Sequence, residues 1–499
     1  MHNDDSNNYL VGVDVGSSGV KTILLDTENG IIAKWTAEVD QFSDFPGWSE
    51  ADTNQWWNGF KKGISEVLRT SNISANQIKG VAFSGMVPAL VCIDKFGNPI
   101  RRAILQNDAR AVDQIINLKA KLNGIDVLKI TGSVISQQWI APTIQWLYEN
   151  EKSNYSQVRT ILGSYDWMAI KLGAQLHVEY NWAIESGLFK LNGDIFEDLK
   201  SQIGIQWPEI PQIKKSGEYV GEVSNTAALE VGLAVGTPIF VGGADHVLSA
   251  FGAGLSKEGD ALLKLGGAGD ILAVSNQILL DERLYLDAHP APDKWLPNGC
   301  MATSGSILRW EQKLLSQNSL EKLDLLAESE KPGTLLTLPY FLGEKTPLHD
   351  PNLRGSIIGL HLGTTTGEFH RSFLEAIAYG FKHHMEVFRS LDLQIIKPKV
   401  TNGGSKSRLW RQILSDVLNV ELESIIDHPG AAYGAAICAG IGSGVIKDWT
   451  YVENKLQIEE TISPNPANHE IYEERFAQFL QISSQLSEIS HNLAKGQKA

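Results

Sequence analysis

Apolar and polar residues alternate through residues 9–15 and again through 20–26, with a Gly and Ser turn between them and a second turn at Glu28-Asn29-Gly30. This pattern predicts an antiparallel meander. From residue 53 to 68 the period lengthens, and Trp56, Trp57, Phe60, Ile64 and Leu68 recur near helical spacing behind a cap at Asp52 or Thr53. Strands are predicted again at 78–83 and 90–94, the second closed by the turn Lys95-Phe96-Gly97-Asn98-Pro99. Residues 112–200 are mainly helical in pattern. Residues 207–221, broken by Pro208, Pro211 and Gly217, read as a surface crossing.

Residues 236–255 predict a buried strand ending in Gly242-Gly243, then Asp245 at the mouth of a small-residue helix. ALLKLGGAGDILAVS, from Ala261, again has strand, glycine turn and strand, in the outline of the first hairpin. Two lobes with a shared plan follow, divided near 255–259 into residues 1–255 and 256–499. A chain of 499 residues exceeds one ordinary core, and a cleft between two domains is a natural ligand site. A last helix is expected at about residues 467–494. Residues 430–446, built of Gly and Ala with Tyr433, predict a closely packed internal helix and not a membrane span.

Composition narrows the functions. With 43 basic and 58 acidic side chains the formal net charge is -15, which argues against nucleic acid and anionic membrane as partners. Local backbone N–H groups and one or two cations still suffice for a nucleotide. Cys92, Cys300 and Cys438 are scattered, so neither a disulfide framework nor a zinc site is indicated and a reducing cytoplasm is expected. The start, MHNDDSNN, has neither the basic nor the apolar region of a signal peptide.

Four glycine turns carry candidate chemistry. In Gly12–Lys21, Gly16 and Gly19 allow a tight turn, Ser17 and Ser18 with backbone N–H groups can cradle phosphate, Lys21 adds a cation, and Asp14 can hold Mg2+ through water. A plain hairpin with an exposed Asp explains the same residues equally well. In Gly242-Gly243-Ala244-Asp245-His246, the carboxylate of Asp245 is placed to accept a hydroxyl proton, or else to cap the following helix. Leu265-Gly266-Gly267-Ala268-Gly269 is a second phosphate-sized turn. Thr401-Asn402-Gly403-Gly404-Ser405 joins a strand to a helix and would let a flat ring lie on backbone. No GxxxxGK[ST] and no GxGxxG occurs, which sets aside a Walker A loop and an NAD-linked oxidoreductase.

In order along the chain, GVDVGSSGVK, GWSEADTNQWW from Gly47, QNDAR from Gln106, GGADH, LPYFLGEKTPLHDPNLRGSIIGL from Leu338 and TNGGSKSRLWRQILSD from Thr401 resemble the FGGY carbohydrate kinases, members of the actin-like, hexokinase-like ATPase superfamily. The resemblance implies an α/β fold of two ribonuclease H-like lobes with an interdomain cleft, with sugar held mainly by the first lobe and MgATP mainly by the second. It implies Asp245 as catalytic base and Asp14 as organiser of Mg2+. Gly16, Ser17, Ser18, Lys21, Gly266 and Gly267 would lie by the phosphates, and Gly403, Gly404, Arg408 and Gln412 by adenosine. Asp108, Gln138 and His246 would be sugar-side. So would Met86, although Met86-Val87-Pro88 stands where xylulose kinases commonly carry Met-His. Gly267 replaces the usual Thr or Ser of its turn, removing a hydroxyl while keeping the backbone donors.

The expected activity is ATP-dependent phosphorylation of a small sugar, a pentulose such as D-xylulose first, with gluconate, ribulose, glycerol or erythritol as alternatives in the same family. A non-catalytic actin-like nucleotide-binding module is the reading from another class. The presence of both Asp14 and Asp245 argues against it. A homodimer is an assembly open to such a chain.

Overall fold

The computed structural model describes residues 8–317, 319–426 and 428–496. They form two compact units. Unit 1 comprises the described residues within 1–256, 287–294 and 429–455, and unit 2 those within 257–286, 295–428 and 456–499.

Unit 1 is built on a six-stranded sheet. The meander comprises β1 (Tyr9–Val15), β2 (Gly19–Asp26) and β3 (Gly30–Glu38). β4 (Ile78–Gly85) runs parallel to β1, and two further strands, β5 (Tyr219–Glu222) and β6 (Pro238–Ala244), complete the order β5-β6-β4-β1-β2-β3. β6 is parallel to β4, and β5 is antiparallel to β6. Alternation gives the sheet two apolar faces. Helix α1 (Thr53–Ser71), capped by the Asp52 side chain, packs on β2 with Gly59 against Val20 and Gly63 against Thr22. The odd positions Ile23 and Leu25 share a second core with Leu10 and the Ala-rich segment 431–439.

Six strands of the unit 2 sheet repeat this plan: β7 (Ala261–Leu265), β8 (Gly269–Ala273), β9 (Trp295–Met301), β10 (Lys399–Thr401), β11 (Leu422–Ile425) and β12 (Ile458–Ile462). Their order, β9-β8-β7-β10-β11-β12, has the same directions as the first sheet read from β3 to β5: antiparallel, antiparallel, parallel, parallel, antiparallel.

The remaining helices used below are, in unit 1, α2 (Ser164–Leu172), α3 (Tyr180–Glu185) and α4 (Asp245–Gly252). Unit 2 has α5 (Gly305–Leu314), α6 (Thr366–Ser390) and α7 (Arg408–Leu418). Later in the chain come α8 (Ala431–Gly442) and α9 (Pro466–Gly496). α6, buried on all sides from His370 to Lys382, and α7 run through the core of unit 2, where Tyr472, Phe476 and Phe479 of α9 join them.

Three expectations change. Residues 207–221 are not only a crossing, because Tyr219 begins the edge strand β5, paired with Phe240. The division at 255–259 is followed by two returns to unit 1. The larger return brings α8, whose Ala432 and Ala436 sit so close to β1 that a Cβ at Gly12 would lie 1.9 Å from the Ala432 carbonyl oxygen. The paired glycines before Asp245 answer first to packing, since a Cβ at Gly242 would lie 1.8 Å from the Phe83 carbonyl oxygen of β4. No helix among the described residues is long and apolar enough to cross a membrane.

Candidate active site

In unit 1 the carboxyl ends of the parallel strands β1, β4 and β6 lie side by side, with Val15 opposite Gly85 and Gly85 opposite Ala244. In an open α/β sheet this is the edge where ligands bind. It brings together three predicted elements: the β1–β2 turn, Met86 and Asp245.

The turn is closed by Gly16 N–H donating to the Gly19 carbonyl at 2.9 Å, which leaves Ser17 and Ser18 exposed at its tip. Asp14 is half-buried on β1, directly opposite Lys21. Burial holds the Lys21 ammonium below its ordinary range despite the attraction of Asp14, and its Nζ donates to the Pro429 carbonyl at 3.2 Å. Met86 is buried, its N–H donating to the Val15 carbonyl at 3.3 Å.

Asp245 opens α4 and is partly exposed. Its Oδ1 accepts from the His246 N–H at 2.6 Å and lies 3.4 Å from His246 Nδ1. The other ring nitrogen, Nε2, is 2.8 Å from Oδ2 of Asp287, a carboxylate only 3% exposed. Glu185, the last residue of α3, completes a trio with His246 and Asp287 whose ligand-type atoms all lie within 4.8 Å of one another. Burial opposes a charged imidazole, but Asp287, Asp245 and Glu185 outweigh it and hold His246 well above the usual range. Burial and the neighbouring Asp287 push the Glu185 carboxyl well up.

In unit 2 the two glycine turns are neighbours, since a Cβ at Gly266 would lie 3.2 Å from the Asn402 amide nitrogen. The Gly266 and Gly267 carbonyls accept from Gly305 N–H and Ser304 N–H, each at 2.8 Å, tying the turn to the start of α5. Gly403 faces open space where a Cβ would stand. Gly404 is wedged against Trp410, with 2.4 Å left for a Cβ.

The FGGY carbohydrate kinase N-terminal domain model matches residues 9–252 and the C-terminal domain model matches residues 275–443. The chain belongs to the FGGY family of carbohydrate kinases. It is similar to a xylulose kinase of Staphylococcus epidermidis, 31% identical over 97% of this chain and 98% of that protein. The crystal structure of a xylulose kinase from Rhodospirillum rubrum is 34% identical, with a TM-score of 0.91 over 97% of this chain and 100% of that one. A gluconate kinase structure from Lactobacillus acidophilus, at 20% identity, a TM-score of 0.89 and 96% and 98% coverage, shares the fold. As an FGGY kinase the chain is a phosphotransferase with an alcohol group as acceptor.

Other predicted residues have partners of their own in this FGGY kinase. Asp108 is buried, and its Oδ2 accepts from Ser49 N–H at 2.6 Å while its Oδ1 accepts from Arg110 N–H at 2.9 Å. Arg110 also forks onto both oxygens at 2.8 and 2.7 Å, so the carboxylate anchors its loop. Gln138 is half-buried at the turn before residue 140. Arg408 donates to Glu460 at 3.2 Å, and Gln412 to Asp416 at 2.8 Å.

Asp287 and Glu185 carry no local sequence signal. The buried amide of Asn181 supplies one half of the arrangement, donating to the Ala288 carbonyl at 3.1 Å and accepting its N–H at 2.7 Å, which fixes Asp287 next door. Arg309 was equally hidden: its Nη2 would lie 2.9 Å from a Cβ at Gly267, in the space that the missing side chain leaves.

Proposed function

We propose that this FGGY kinase transfers the γ-phosphoryl group of MgATP to a hydroxyl of a pentulose of the D-xylulose type. The observation that carries the reading is the position of Asp245, at the carboxyl end of β6, one strand from Met86 and two from the serine-tipped turn. There it accepts the hydroxyl proton while that oxygen bonds to γ-phosphorus and the bond from phosphorus to the β,γ-bridging oxygen breaks. Little covalent chemistry is asked of the protein beyond holding the alcohol in line.

Ser17, Ser18 and Lys21 act on the phosphates. Gly266, Gly267, Gly403 and Gly404 act on the nucleotide, with Arg408 and Gln412 at the margin of adenosine. His246, Met86 and Gln138 act on the sugar, and Asp108 supports them by fixing Arg110. Asp14 fits a role toward Mg2+, because a half-buried carboxylate one position before the end of β1 adjoins the phosphate turn and stands opposite Lys21. Magnesium bound with the nucleotide supplies neutralisation of phosphate charge.

D-Xylulose is favoured because the Staphylococcus epidermidis and Rhodospirillum rubrum proteins, each above 30% identity, are xylulose kinases, whereas the gluconate kinase at 20% speaks for the fold alone. A cytoplasmic place of action accords with that substrate. A coupled ADP-release assay over D-xylulose, D-ribulose, D-gluconate, glycerol and erythritol tests the reading. The highest kcat/KM is expected with D-xylulose. A higher value with gluconate or glycerol overturns the substrate, and no sugar-dependent turnover overturns the kinase.

A further inference from the structure

We propose that Asp287, backed by Glu185, is a positioning residue that holds His246 as an imidazolium against Asp245 and so keeps the base ionised and aimed. The inference deepens the assignment of Asp245 as base and rests on it.

The geometry forms a string. His246 has one ring nitrogen 2.8 Å from Asp287 and the other 3.4 Å from Asp245. A neutral imidazole has a single N–H and can donate to only one of two carboxylates, whereas an imidazolium donates to both. Glu185 and Asp287 offer each other only oxygen atoms, so a proton on Glu185 is what makes their contact attractive. Glu185 lies within 4.8 Å of the trio's other ligand-type atoms, so of the two carboxyls it is the one that holds a proton, and the ring of His246 carries the compensating positive charge.

The surroundings reinforce this distribution. Glu179, ahead of α3, faces Asp287, and burial raises its carboxyl to about 7. Tyr165 on α2 faces Glu185 and donates to Glu179 at 2.8 Å, and Asp166 on α2 faces Glu179. With several carboxyls crowded in a low-dielectric region, one cation placed next to Asp245 has a large effect on its ionisation. The string also explains why a segment lying between two unit 2 strands in sequence is packed into unit 1 by Asn181.

The test compares pH profiles of sugar kcat/KM in the full-length enzyme, with imidazole NMR of His246 as a readout that needs no turnover. In Asp287→Asn the ring keeps an acceptor but loses the charge that favours its second proton. The acid limb, which reports ionisation of the base, is expected to move up by about one pH unit. The His246 signal, assigned through His246→Gln, is expected to be that of an imidazolium at pH 7 in the native enzyme and neutral in Asp287→Asn. Glu185→Gln, whose amide can replace the carboxyl donor, is expected to keep the native acid limb, and Glu185→Leu to move it as Asp287→Asn does.

A neutral His246 at pH 7 in the native enzyme overturns the proposal even if Asp287→Asn fails to fold. So does an unmoved acid limb in both Asp287→Asn and Glu185→Leu while Asp245→Asn is inactive. If Asp245→Asn itself retains turnover, it is the base assignment that fails, and the proposal falls with it.

Discussion

A missing side chain at residue 267 leaves room that the guanidinium tip of Arg309 reaches, on a helix tied by its first N–H groups to the same glycine turn. Where FGGY kinases resembling this one carry a hydroxyl, this chain therefore presents a cation beside the turn. Arg309→Ala is expected to raise KM for MgATP about tenfold, or ~1.4 kcal/mol, with KM for the sugar unchanged. An unchanged nucleotide KM in steady-state kinetics removes Arg309 from the phosphate side. Asp245 and the turns at Gly16, Gly266 and Gly403 were legible in the sequence because their signal lies within a few consecutive residues. Asp287 was not, because it meets His246 across 41 residues of chain. The fork between Asp108 and Arg110 was not legible either, because a carboxylate two residues before an arginine does not announce a bidentate pair in sequence.

Strand β1 and helix α8 approach each other closely only because both are made of small residues at the crossing. The Cβ of an alanine at Gly12 would meet the Ala432 carbonyl oxygen and the Ala436 backbone nitrogen, at 1.9 and 2.7 Å, so neither neighbour is a side chain that could turn aside. Gly12→Ala is expected to destabilise unit 1 by roughly 1–3 kcal/mol or more, read as a lower Tm. A variant melting with the native protein would show that β1 and α8 are less tightly apposed. Elements with a long, clean period were legible: the meander, α1 with its Asp52 cap, and α9 within two residues at each end. The edge strand β5 was not, because four residues among prolines and glycines carry too little alternation, and β6 supplies the pairing that makes them a strand.

At the scale of the whole molecule, the repeated order of strand directions in the two sheets is the feature that the twin glycine hairpins announced. The returns of residues 287–294 and 429–455 to unit 1 were invisible, because a covering helix of Ala and Gly fits either sheet by composition. A fragment of residues 1–256 lacks α8 and so exposes the face formed by Leu10, Ala82 and Phe240. It is expected to aggregate in size-exclusion chromatography and to become monomeric when residues 429–455 are fused to it. Monomeric, cooperative folding of the bare fragment contradicts that division of the core. The account's central claim, that residue 245 is the base of a phosphoryl transfer, is tested most directly by D-xylulose-dependent ADP formation in Asp245→Asn alongside nucleotide binding by calorimetry. The predicted result is turnover reduced by roughly 100-fold or more with nucleotide affinity retained; near-normal turnover contradicts the mechanism.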